Sequence, residues 1–123
     1  ICNYGPITKG ADGVYYNYIK KPVPANMVIE LAKPFQGFKY YHKYTDKQIA
    51  ALKELLIDLG AKYKIDIKSG LKALLDQNKG HEAFLLNNDA LAGKPGVWTH
   101  TNVRKDKFDC SPQDNLIAMI KSL

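Results

Sequence analysis

Apolar positions in the middle of the chain recur at helical spacing. Ile49, Leu52, Leu55, Leu56 and Leu59 fall on one stripe, and Lys47, Lys53, Glu54 and Asp58 fall largely outside it, as in an amphipathic helix lying on a core. Thr45 stands before the stripe with Gln48 at the capping-box position. The Thr45 hydroxyl can accept from the Gln48 amide while the Gln48 side chain reaches back to the Thr45 amide. The pattern predicts a helix from Asp46 to about Ala61. Leu116, Ile117, Ile120 and Leu123 form a second stripe, and Ser111, Pro112 and Asp114 read as N-cap, N1 and N3 of a final helix. A shorter helix is expected around Gly70–Leu75.

Elsewhere the pattern is extended or irregular. Gly13–Ile19 is rich in β-formers after the turn at Ala11–Gly13 and predicts a strand. Met27–Leu31 predicts another, ended by Pro34. An aromatic cluster of Phe35, Phe38, Tyr40, Tyr41 and Tyr44 precedes the long helix. Residues 79–95 carry turn signals at Asn87–Asp89 and Gly93–Gly96. Val97–Val103 alternates like a strand, and Arg104–Asp109 is a charged loop. The fold class predicted is α/β, with a mainly β centre flanked by the 46–61 and C-terminal helices. The 123 residues suffice for one core, and no repeat, linker or low-complexity tract divides them.

Composition narrows this modestly. The 46% hydrophobic and 24% charged content is that of an ordinary globular chain, and no apolar run approaches the ~20 residues of a membrane span. Net charge is +6, but Arg104 is the single arginine among 18 cations. Nucleic-acid readers favour clustered, arginine-rich surfaces, so a nucleic-acid partner is not expected. Scattered lysines suit solubility or loose attraction to a polyanion such as a bacterial wall. Cys2 and Cys110 do not make a disulfide framework. The start, ICNYGPITKG, lacks the basic and apolar regions of a secretory signal and has no initiator Met, which raises the expectation of a processed or truncated chain.

Candidate chemistry concentrates between Gly96 and Pro112. His100 ends a predicted strand, and Lys107 and Asp109 follow in a loop before a helix. An imidazole and a carboxylate brought together by such a turn are suitable zinc ligands. An ammonium two residues from the carboxylate is placed to stabilise an oxyanion. Spacing alone does not separate this group from an ordinary surface cluster.

The same segment resembles the C-terminal signature of zinc-dependent N-acetylmuramoyl-L-alanine amidases, the family of phage amidase-type lysozymes and peptidoglycan recognition proteins. A strand-end His is followed there by Lys-x-Asp-x-x-Pro, here Lys107-Phe108-Asp109-Cys110-Ser111-Pro112. Phe35–Gln48, with its Tyr44-Thr45-Asp46-Lys47-Gln48 helix start, resembles the family's approach to its long helix. Ile1–Pro6 resembles the segment just after the family's central Ile-Gly-Ile-Glu strand. The likeness covers nearly all of residues 1–123, most firmly 35–60 and 96–118.

The resemblance implies the C-terminal portion of a single amidase domain of that fold, acting on peptidoglycan with Zn²⁺ as cofactor. His100 and Asp109 would be metal ligands and Lys107 the catalytic cation near the scissile carbonyl. Some relatives use Cys as last ligand, but the Lys-x-Asp register selects Asp109 over Cys110. Tyr40, Tyr41 and Trp98 are candidates to shape the substrate groove, and His42 is a weaker one. The family's first zinc His comes from an earlier strand, so it is expected from an N-terminal segment of the same domain ahead of Ile1, which would also cover the sheet edge. The catalytic acid is expected there too. An alternative register makes Glu30 that acid. Family members act as phage lysins, virion-associated enzymes or bacterial periplasmic or secreted enzymes. Rival expectations are a non-catalytic peptidoglycan-binding module and an amidase-derived structural virion protein.

Overall fold

A computed structural model describes all 123 residues and has the predicted α/β class. Strands β1 (Pro6–Lys9), β2 (Tyr15–Tyr16), β3 (Pro22–Val23), β4 (Val28–Phe35) and β5 (Phe38–His42) form an antiparallel sheet in the order β3-β2-β1-β5-β4. Helices α1 (Asp46–Tyr63), α2 (Leu71–Asp76), α3 (Asn88–Leu91), α4 (His100–Val103) and α5 (Asp114–Lys121) follow, with 3-10 turns at Ala25–Met27 and Gly80–Phe84.

The β4–β5 hairpin is the longest pairing. Phe35 and Phe38 pair across Gln36 and Gly37, whose φ values are 51° and 82°. Two left-handed residues in a two-residue loop give the turn twist that matches the strands. The register then slips between Glu30 and Phe35. β4 thus runs past the predicted Met27–Leu31 stretch and through Pro34. It can do so because it is an outer strand, where a missing N–H breaks no obligatory ladder bond. Lys33 sits beside Pro34 on the same strand.

Residues paired across antiparallel strands point to the same face. Pro6 pairs with Tyr41 and Thr8 with Tyr16, so Pro6, Thr8, Tyr16 and Tyr41 share one face. Under β4 and β5 that face is covered by helices. Tyr41 packs there with Leu31, Phe35, Ile49, Leu71, Leu75, Phe84, Leu116, Met119 and Ile120. Under β1 and β2 it is left open.

The capping box at Thr45 and Gln48 forms as predicted. The α1 stripe is only half used. Ile49 is buried and Leu52 and Leu56 pack on the core, while Leu55 and Leu59 remain 52% and 37% exposed. These two lie on the flank of the stripe that turns away from the sheet and α5. The predicted start of the last helix needs correction. Gln113, not Ser111, is the N-cap of α5, because the Ser111 amide and hydroxyl are directed to the buried Tyr44 hydroxyl. The stretch 79–95, read as irregular, contains the second 3-10 turn and α3.

Ile49→Ala is expected to lower unfolding free energy by about 2–4 kcal/mol, and Leu55→Ala to stay within about 0.5 kcal/mol of the parent. Urea titration of both variants checks that only one side of the stripe is core.

Candidate active site

His100 does not end a strand. Residues 97–103 make a single ladder contact, a parallel bridge from Val97 to Gly70, and then turn into α4. Gly70 and Gly96 permit this crossing. A Cβ on Gly70 would collide with the Val97 carbonyl oxygen, and one on Gly96 would meet the Ser69 carbonyl carbon at 2.7 Å. Thr99 is the N-cap, and a reciprocal box with Asn102 closes the turn. Thr-x-x-Asn was the sequence signal for a helix start, and it outweighs the apparent alternation.

The turn is fixed by buried polar groups. The Thr101 hydroxyl donates to the Phe84 carbonyl at 2.6 Å, and the Asn102 amide donates to the Ala83 and Leu85 carbonyls at 2.8 and 2.7 Å. Thr101 and Asn102 have no exposed surface. His100, its side chain 42% exposed, faces outward, as does Val103 at the other end of the turn.

Asp109 approaches from the loop after α4. His100 Nδ1 lies 3.3 Å from Asp109 Oδ1 and 3.4 Å from Oδ2. That is long for a charge-assisted hydrogen bond. The pair is a long hydrogen-bonded contact, and an imidazole nitrogen and a carboxylate are donor types that zinc accepts. No cluster of three or more His, Cys, Asp or Glu side chains is present. Cys110 turns the other way and packs on the core, where burial raises its thiol pKa. A protonated, inward thiol is a poor ligand beside the outward Asp109 carboxylate.

The loop is braced on both sides. Before Asp109, the Gln36 amide donates to the carbonyls of Lys105 and Lys107 at 3.1 and 2.9 Å, and Phe108 meets Phe38 edge-on with centroids 5.5 Å apart. After it, the Ser111 amide donates to the Tyr44 hydroxyl at 3.0 Å. Burial pushes the Tyr44 phenol up to about 12, which keeps it neutral.

Lys107 and Asp109 line an open groove of about 1010 Å³. Thr8 and Tyr16 of the uncovered sheet face also line it, with Tyr4, Tyr18 and Lys20. Lys107 enters no ion pair. The groove's aromatics are not those expected from sequence. Tyr41 is a core residue, 1% exposed, with its hydroxyl donating to the Phe35 carbonyl. Tyr40 packs edge-on against Tyr15, and Trp98 Nε1 donates to the Lys94 carbonyl. Both lie outside the groove, whose aromatic members are Tyr4, Tyr16, Tyr18, Phe38, Tyr44 and Phe108. The extended β4–β5 pairing buries Tyr41 and was hidden by the uniform aromatic run of residues 35–44. Glu30 sits on the outer strand in a 2.7 Å ion pair with Lys39 and does not line the groove.

His42 holds one groove wall. Its Nδ1 accepts from the Tyr4 amide at 3.0 Å, and its carbonyl accepts from Asn3 at 2.9 Å. His81, far from this wall, lines a second cleft with Lys33 and Lys79.

No known protein family, curated protein or solved structure matches the chain. No helix is long and apolar enough to cross a membrane.

Burial depresses the His42 pKa below its ordinary 6.5, so the fold favours the neutral ring that can accept from Tyr4. This contribution to stability is present above about 6.5 and is lost as pH falls through the depressed folded value. The Tyr4 amide resonance is expected to titrate with a midpoint below 6.5. A pH-independent resonance in the parent would mean that His42 does not hold this strap.

Proposed function

We propose that the chain carries the C-terminal part of the active site of a zinc-dependent N-acetylmuramoyl-L-alanine amidase, a peptidoglycan hydrolase. The observation that carries the reading is the approach of His100 Nδ1 to the Asp109 carboxylate at 3.3–3.4 Å, with Asp109 and Lys107, though not His100, lining the groove. The Lys-x-Asp-x-x-Pro motif supports it from the sequence.

In this reading His100 and Asp109 are two of three protein ligands. The third, and the group that delivers a proton to the leaving amine, come from a segment of the domain outside these residues. Bound zinc supplies Lewis acidity and a water acidic enough to ionise near neutral pH. Lys107 sets a positive charge where the scissile carbonyl oxygen becomes negative. Tyr4, Tyr16, Tyr18 and Phe108 offer flat apolar faces for the sugar and peptide on either side of the bond. The rival reading, a module that holds peptidoglycan without cutting it, draws on the presence of only two ligands among these residues.

Asp109→Ala is expected to weaken zinc binding by more than the ~10–100-fold cost of losing an outer-shell partner, while Cys110→Ala leaves it unchanged. Chelator competition measures both. The reverse order would move the ligand to Cys110.

Lys107→Ala in the full-length protein should retain zinc and fold and lower kcat on peptidoglycan by ~10²–10³ with little change in KM. Lys107→Arg should recover part of the loss, because the guanidinium places its charge differently. Parent-level turnover in Lys107→Ala would remove its catalytic role. Zinc binding and wall binding without amide cleavage by the parent would instead select the binding module.

A further inference from the structure

Gln36 occupies a backbone conformation that disfavours it. Its φ is 51°, in the left-handed region that glycine and asparagine enter most readily, and the hairpin position it fills favours Asn or Gly. Turn chemistry therefore gives no reason for glutamine. Its side chain does. Nε2 donates to the carbonyls of both Lys105 and Lys107. A single amide thus uses its two N–H groups to fix the backbone on either side of Asp106. Glycine has no such group. Asparagine is one methylene shorter.

We propose that Gln36 is a positioning residue of the site: it sets the backbone from which Lys107 reaches the groove, at the expense of the hairpin turn that carries it. This rests on the role given to Lys107 above. Phe38, from the same hairpin, braces the next residue, Phe108. The hairpin tip therefore holds two successive residues of the loop, and Asp109 follows directly. Local stability and site geometry make opposite demands at position 36, which allows the two to be separated experimentally.

Gln36→Gly and Gln36→Glu are the informative variants. Glycine relieves the left-handed backbone and removes both donors. Glutamate keeps the length and presents oxygens to the two carbonyls. In the zinc-loaded full-length protein, both are expected to lower kcat on peptidoglycan about tenfold or more, as small misplacements of a catalytic group do, with KM nearly unchanged. Gln36→Gly should melt no lower than the parent, and amide exchange at 105–109 should quicken while the sheet stays protected. In a Lys107→Ala background Gln36→Gly should cost no further activity, since both changes act on one group. Parent-level kcat with parent-level exchange overturns the proposal. So does a loss of kcat matched by a lower melting temperature, which marks a merely structural residue. If the parent itself cleaves no peptidoglycan, the amidase reading fails separately. Positioning of the loop is then decided by exchange alone: quickened exchange in Gln36→Gly upholds it and unchanged exchange overturns it.

Discussion

Gln113 is completely buried, and a buried primary amide must find partners for both its donors and its acceptor. It finds them at the end of β5 and in its own loop. Nε2 donates to the His42 carbonyl at 2.9 Å and to the Ser111 hydroxyl at 3.0 Å, and Oε1 accepts from the Tyr44 amide at 2.9 Å. The Ser111 amide is tied in turn to the Tyr44 hydroxyl. Any shift of residues 111–113 relative to 42–44 would strand several of these groups away from water, at roughly 1–3 kcal/mol each. The strand that leads into α1 and the loop that leads into α5 are thereby locked at one point. Asp109 lies just ahead of that point.

His100 depends on a second set of buried polar groups. Thr101 and Asn102 face inward and satisfy the carbonyls of residues 83–85, with the Thr99 hydroxyl bonded to both of their side chains, and His100 faces outward. The two locks are independent, one on β5 and one on the Gly80–Phe84 turn. The approach of His100 to Asp109 is where their products meet. This explains how two partly exposed side chains come to face each other although neither is confined by packing around its own tip.

The sequence reveals much of this, unevenly. The α1 start is legible because Thr45 and Gln48 act locally, within one turn. The helix at 100–103 has an equally local signal in Thr99 and Asn102. It was obscured by the β-branched residues around it, whose alternation imitates a strand. Ser111 and Pro112 present a plausible helix start that tertiary structure overrules, since Tyr44 lies 67 positions away in sequence and no local pattern announces it. The preference for Asp109 over Cys110 rests on the motif alone; that the Cys110 side chain packs on the core is a separate fact that no local pattern announces. That Tyr41 lies in the core and that Tyr40 and Trp98 lie outside the groove is not legible in the sequence for a different reason. In the run from Phe35 to Tyr44 only Phe35, Tyr41 and Tyr44 are buried, and the hairpin's turn and register, not composition, decide which. Tyr16 and Tyr18 lie in a stretch where the β-propensity was visible but not the uncovered face.

The outer border of the sheet has its own bearing on behaviour in concentrated solution. An eight-residue strand with one flank unpaired is ordinarily a template on which another chain can lay itself down. β4 carries Lys33, Pro34 and a register slip within that length. A charge must be desolvated for a new strand to approach, one N–H is missing from the row of donors, and the slip bends the row out of line. Cross-β growth from this border is therefore checked at three points.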